Sequence, residues 1–214
     1  MKGLLRNNIY GTLSNAKVFS RFMILFGIFG VVVPDQTVQI GYVMIGIIGF
    51  SVSTIIVTKN EFTTKWGKYK LTLPVTRSDI VKSQYLNQVI WLLVGTCFVG
   101  IELGLSCLFH GCLFDHPIDI LTMFALAISM SLFMGAIFFP LFYAGGAEKG
   151  EVFWIIAILC AFGIDCTIVT ILNGLLEPGI ASIVFGAVTL IVFSLMAFGV
   201  SYSLTVIIYS KKEY

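Results

Sequence analysis

Residues 118–143 read IDILTMFALAISMSLFMGAIFFPLFY, and this run decides what kind of fold the chain can adopt. Asp119 stands at its second position and no other charge follows. At 1.5 Å rise per residue, a helix over this run covers roughly 39 Å, enough to cross about 30 Å of hydrocarbon. Five more runs of the same character lie at approximately 18–34, 38–58, 84–109, 152–174 and 180–209. Their hydropathy is continuous, which fits helices; barrel strands would alternate over short segments. The 214 residues are 58% apolar, 14% aromatic and 11% charged, with a mean hydropathy of +0.99. A soluble domain carries roughly 25% charged residues. A water-soluble enzyme, a nucleic-acid binder, a disordered chain and a disulfide-stapled secreted domain are thereby excluded. The expectation is an all-α membrane protein of six transmembrane helices, one domain over residues 1–214.

The net charge of +2 hides an asymmetry. With the N-terminus placed in the cytoplasm, all thirteen Lys and Arg fall on that side, and the three outer connectors hold Asp35, Asp115 and Glu177 but no base. Basic residues collect on the cytoplasmic side of membrane proteins, so both termini are predicted to be cytoplasmic. No signal-peptide pattern opens the chain, and a bacterial plasma membrane is the expected location. Before the first span, Leu5, Ile9, Leu13 and Ala16 recur at helical spacing between Lys2, Arg6 and Lys17. They predict an amphipathic helix over residues 1–17, lying on the inner leaflet. The last run, about 30 residues, is too long for one upright span. It implies strong tilt, or a re-entrant piece near residues 175–188 made possible by a break at Pro178-Gly179.

The connector at 59–83 reads KNEFTTKWGKYKLTLPVTRSDIVKS. Phe62, Trp66, Tyr69 and Leu73 share one helical face, and Pro74 ends that helix. Thr76 then resembles an N-cap, with Asp79 three residues on as the second half of a capping box. Two readings fit. Trp66 and Tyr69 anchor the loop at the interface while the lysines meet anionic lipid, or the loop is a docking surface for a soluble partner. Arg77 in the first helical turn opposes the helix dipole, which suits a residue kept for an acidic group on such a partner.

Glu61, Trp66, Tyr69, Leu73-Pro74-Val75-Thr76-Arg77, Ile80-Val81 and Tyr85 together resemble the coupling-loop signature of bacterial ABC exporter permeases of the type V fold. Phe139-Pro140-Leu141-Phe142-Tyr143 with Gly145-Gly146, and the terminal Tyr209-Ser210-Lys211-Lys212-Glu213, agree with it. The resemblance implies an elbow helix at residues 2–17, a coupling helix at 59–73 and short re-entrant helices before the last span. It assigns contact with the ATPase to Glu61, Trp66, Tyr69, Pro74, Thr76 and Arg77. It further implies a permease dimer, here a homodimer, working with two copies of a separate ABC ATPase. ATP and Mg would be bound by that ATPase, with no cofactor in this chain. Relatives of this kind export amphipathic or antimicrobial peptides, antibiotics or lipid-linked polymers, and the short chain is most similar to the peptide exporters.

The chain supplies no ATPase of its own. Gly145 to Glu151 has the spacing of a phosphate loop but places Glu151 where Lys-Ser/Thr is required. Two acids interrupt the apolar runs, Glu102 and Asp165. An ionised acid at the bilayer centre costs roughly 2.5–3.5 kcal/mol, and no Lys or Arg lies at that depth. Each is therefore protonated, hydrogen-bonded to a neighbour such as Thr96, Ser106 or Thr167, or facing a wet cavity. They either line a translocation path, snorkel to the outer headgroups, or serve an ion- or proton-coupled transporter. Gly100 and Gly104 form a small-residue face suited to close helix packing. His110, Cys112, Asp115 and His116 crowd one outer loop but match no metal-ligand spacing. The odd number of cysteines, five, argues against a disulfide framework.

Overall fold

The computed structural model describes residues 2–33, 35–63, 76–111, 114, 116–177 and 179–211. They form six long helices: α1 (Lys2–Val32), α2 (Gln36–Thr63), α3 (Arg77–His110), α4 (Pro117–Gly145), α5 (Gly150–Leu175) and α6 (Ile180–Lys211), with one 3₁₀ turn at Ala147–Lys149. All six are long and apolar enough to cross a membrane. The predicted fold class is correct.

Local chemistry sets the helix ends. The Asp35 carboxylate accepts from the backbone N–H groups of Thr37 (2.8 Å) and Val38 (3.2 Å), capping α2. At the start of α3 the predicted capping box is present: Thr76 Oγ1 accepts from the Asp79 N–H, and the Asp79 carboxylate accepts from the Thr76 N–H. Pro117 opens α4 where its missing N–H costs nothing. Gly146, at φ +84°, ends α4 in a conformation that excludes most side chains.

α4 is the central post. It packs most extensively on α6, then on α5 and α2, and it buries residues on every side, among them Ser129, Ser131, Met134, Phe138 and Phe142. α2 rests on α3, and α1 on both. The outer helices turn small and polar residues inward. On α6 the buried stripe is Ala187, Leu190, Ser194, Phe198, Ser201, Thr205 and Tyr209; on α5 it is Gly150, Ala157, Ala161 and Asp165. Large apolar side chains such as Leu159, Phe185 and Leu195 point outward. Lipid as solvent produces this arrangement, since apolar burial between helices brings no gain there and close packing and hydrogen bonds hold the bundle.

Two expectations are revised. The elbow segment is not a separate surface helix, because α1 runs uninterrupted from Lys2 to Val32. Its inward face is Leu4, Asn8, Thr12 and Ala16, held to α3 by an Asn8–Ser83 bond of 3.0 Å and an Asn87–Thr12 bond of 3.0 Å. Leu5, Ile9 and Leu13 are only half-buried beside that face. No re-entrant helix precedes the last span among the described residues; α6 continues from Ile180 to Lys211, roughly 46 Å. Pro178 and the expected coupling-helix residues Trp66, Tyr69, Leu73 and Pro74 lie outside the described residues.

Candidate functional site

The two ends of the 64–76 connector are fixed to different helices. Glu61, in the last turn of α2, accepts from Asn7 of α1 at 3.2 Å and from Gln84 of α3 at 2.8 Å. Turned so that its oxygen accepts from Ser83, the Asn8 amide also donates to Glu61 at 3.2 Å. Thr58 donates to the Gln84 carbonyl oxygen at 2.9 Å, and Lys59 pairs with Glu151 at the start of α5 at 2.7 Å. The end of α2 is thus tied to α1, α3 and α5.

At the far side of the connector, Arg77 donates to the backbone carbonyls of Tyr209 (2.9 Å) and Ser210 (3.2 Å) at the end of α6. Its guanidinium also stands 5.6 Å from the Tyr209 ring centroid. The sequence reading set Arg77 against the dipole of its own helix and aside for a partner. The structure shows it meeting the carbonyl end of another helix, where a cation is favoured. Tyr209 stacks edgewise on Tyr143 of α4, which carries the connection to the central post. Sequence reasoning missed Asn7 and Gln84, and quoted Tyr209 only as part of a terminal motif without a role; no local pattern pairs them with Glu61 or Arg77.

The two acids lie on different helices and away from the connector ends. Glu102, on α3, packs against Gly27 of α1, where an added Cβ would lie 3.0 Å from its Cγ and 3.1 Å from the Tyr42 hydroxyl. It forms one wall of an otherwise apolar cavity of about 430 Å³ between α1 and α3, with Ile24, Ile28 and Ile101. Both its oxygens are buried and make no hydrogen bond of normal geometry among the described residues, with the Gln39 amide the donor beside them. Asp165, on α5, is only 5% exposed. Its Oδ1 accepts from Ser129 of α4 at 3.0 Å, and its Oδ2 has no partner among the described residues.

None of the expected neighbours serves the acids. Thr96 and Thr167 bond to carbonyls of their own helices, and Ser106 accepts from Gln39. Neither carboxylate snorkels, since their partnerless oxygens are turned away from the surface. Gly100 and Gly104 pack against nothing within 4 Å of an added Cβ, so the expected close packing is not made inside the chain. His110 bonds to the Val31 carbonyl at 2.7 Å and His116 caps α4, while Cys112 and Asp115 lie outside the described residues.

A family model described as ABC-2 family transporter protein matches residues 3–210. No curated protein and no solved structure matches the chain.

Proposed function

The chain belongs to the ABC-2 family of transporter proteins, and from that premise we propose that this ABC permease is the membrane half of a bacterial exporter for amphipathic or antimicrobial peptides. In this reading both termini and the 64–76 connector face the cytoplasm, the type V arrangement applies, and a homodimer binds two ABC ATPase subunits that hold ATP and Mg. The observation that carries it is the wiring of the connector. Glu61 at one end is bonded to α1 and α3, and Arg77 at the other to the end of α6. A displacement of the connector by a closing ATPase would pull on four helices at once. Thr76 fixes the start of α3 so that the pull is transmitted as a rigid-body motion, and Trp66, Tyr69 and Pro74 complete the contact surface. Glu102 and Asp165 line the route of a cationic peptide.

The test is affinity purification of the permease from native membranes, with an ABC ATPase identified in the eluate by mass spectrometry. Arg77→Glu and Glu61→Lys should lower nucleotide-driven peptide uptake into inverted vesicles at least tenfold. Normal ATPase recovery and normal efflux in both variants would overturn the coupling assignment.

A further inference from the structure

A groove of about 610 Å³ runs along the seam of α1 and α2 at the connector end of the bundle. Gly11 meets α2 there, since an added Cβ would lie 3.2 Å from Val57 Cγ1. From Gly11 to the end of α1 at Val32 the helix rises about 32 Å, close to the ~30 Å of the hydrocarbon layer. The groove therefore opens at the level of the lipid headgroups. Its lining is polar for a membrane protein's flank: the amides of Asn7, Asn15 and Asn60, the Ser14 hydroxyl, Tyr10 and the Glu61 carboxylate. Asn7, Tyr10, Ser14 and Asn60 are exposed, so an occupant of the groove reaches them directly.

The rim of the groove is basic. Arg6, Tyr10, Ser14 and Lys17 recur at spacings of four, four and three, on one face of α1. The Arg6 guanidinium stands 5.5 Å from the centroid of the Tyr10 ring. Helical side chains lean toward the N-terminus of their helix, so Lys17 leans toward Ser14. Both bases are exposed, and neither pairs with an acid among the described residues. Cations at this level suit a phosphate, and amides and hydroxyls, which both donate and accept, are best matched by hydroxyls. We propose that the groove seats the headgroup of phosphatidylglycerol, with its phosphate on Arg6 and Lys17 and its glycerol hydroxyls among Ser14, Asn15 and Asn60. Phosphatidylserine has the same net charge, but its carboxylate would face Glu61 and its ammonium only donates. Phosphatidylethanolamine lacks the net charge that the bases favour. In the proposed orientation the lipid belongs to the cytoplasmic leaflet; the seat itself rests only on the groove and its depth.

The test is native mass spectrometry of the delipidated permease, taken from micelles holding phosphatidylglycerol, phosphatidylserine, phosphatidylethanolamine and phosphatidylcholine in equal amounts. One phosphatidylglycerol should be retained per chain, favoured roughly tenfold over phosphatidylserine. The double variant Arg6→Gln, Lys17→Gln should abolish that retention, and Lys211→Gln, at the far end of α6, should leave it unchanged. Ser14→Phe, at an exposed position, fills the groove but keeps both bases, and should remove the preference for phosphatidylglycerol over phosphatidylserine. Asn60→Leu should reduce the same preference, which covers the case that Ser14→Phe does not fold. Equal retention of phosphatidylserine by the unaltered chain, a preference for phosphatidylethanolamine, or full selectivity in both groove variants would overturn the proposal. The assay contains neither ATP nor an ATPase, so its failure and a failure of the export reading are separately visible.

Discussion

Pro140 lies inside α4, and its lack of an N–H leaves the Ala136 carbonyl without its intrahelical donor. Ser201 of α6 fills that vacancy: its hydroxyl donates to Ala136 O at 2.6 Å. The Ser201 oxygen also lies 2.7 Å from the Tyr85 hydroxyl, which in turn contacts Thr205 at 2.8 Å. In Ser201→Ala, Tyr85 retains Thr205, but the Ala136 carbonyl is orphaned in a buried position. A buried unpaired group costs about 1–3 kcal/mol in soluble proteins. Interhelical bonds within membranes average ~0.6 kcal/mol and reach ~1.7, so Ser201→Ala should destabilise by about 1–2 kcal/mol. In Pro140→Ala the new backbone N–H can bond Ala136 O, and the serine becomes dispensable there. The cost of Ser201→Ala should then fall by roughly 1 kcal/mol, a coupling readable in a double-mutant cycle of reversible unfolding in mixed micelles. Thr205→Ala, which leaves the Ala136 bond intact, should be additive with Pro140→Ala. If Ser201→Ala costs the same in both backgrounds to within ~0.3–0.5 kcal/mol, the scale on which independent sites add, the reasoning fails.

Other perturbations discriminate equally. Gly135→Ala would place its methyl into the Gln88 amide, which donates to the Ser131 carbonyl at 3.0 Å; it should cost about 1–3 kcal/mol as an overpacking defect, whereas Gly104→Ala, in open space, should stay within ~0.5 kcal/mol. Both are read from the same micelle unfolding curves. Thr76→Ala removes the cap of α3 and should lower stability by about 0.5–2 kcal/mol, with Thr76→Asp close to neutral in that assay. Glu151→Gln breaks the pair with Lys59 at a site where the acid is 75% exposed, and thermal unfolding should shift little, by less than ~1 kcal/mol. A larger loss would show that this end of α5 is buried by something beyond the chain.

Features that depend on neighbours in sequence were legible. Six spans follow from hydropathy, and the Thr76–Asp79 box was placed by residue because both halves lie within one turn. The course of α1 was misjudged for a physical reason. Leu5, Ile9, Leu13 and Ala16 were read as the apolar stripe of a helix lying on the inner leaflet, but polar Asn8 and Thr12, which that rule passes over, bond the segment to α3, and Ala16 is buried with them. The segment therefore continues directly into the first span. Features that depend on pairing across the chain stayed hidden. Nothing near Ser201 signals that it completes a defect made by Pro140, 61 residues earlier. Asn7 and Gln84 became recognisable only when the structure brought them to Glu61.

The carboxylates divide along a line that stability does not explain. Five of those at helix ends are partnered: Asp35, Asp79 and Asp119 cap α2, α3 and α4, Glu61 holds two helices and Glu151 pairs with Lys59. Leaving an oxygen unpaired would cost least at those ends, where water is near. The two acids within the spans, where the cost is highest, keep open oxygens and each borders a cavity. A chain selected for stability alone would bond Asp165 as fully as Asp79, or replace it with an apolar residue. The unsatisfied positions are instead where a chain gives up stability for a ligand-dependent interaction. The wired end offers the complementary property, bonds stiff enough to move several helices together. In the proposed reading, force transmission belongs to one end of the bundle and peptide recognition to the half of the bundle farthest from it. Substitutions at Glu61 and Arg77 should accordingly lower nucleotide-driven peptide uptake into inverted vesicles, and Asp165→Asn, on the peptide's route in the proposed reading, should lower it while leaving ATPase recovery intact.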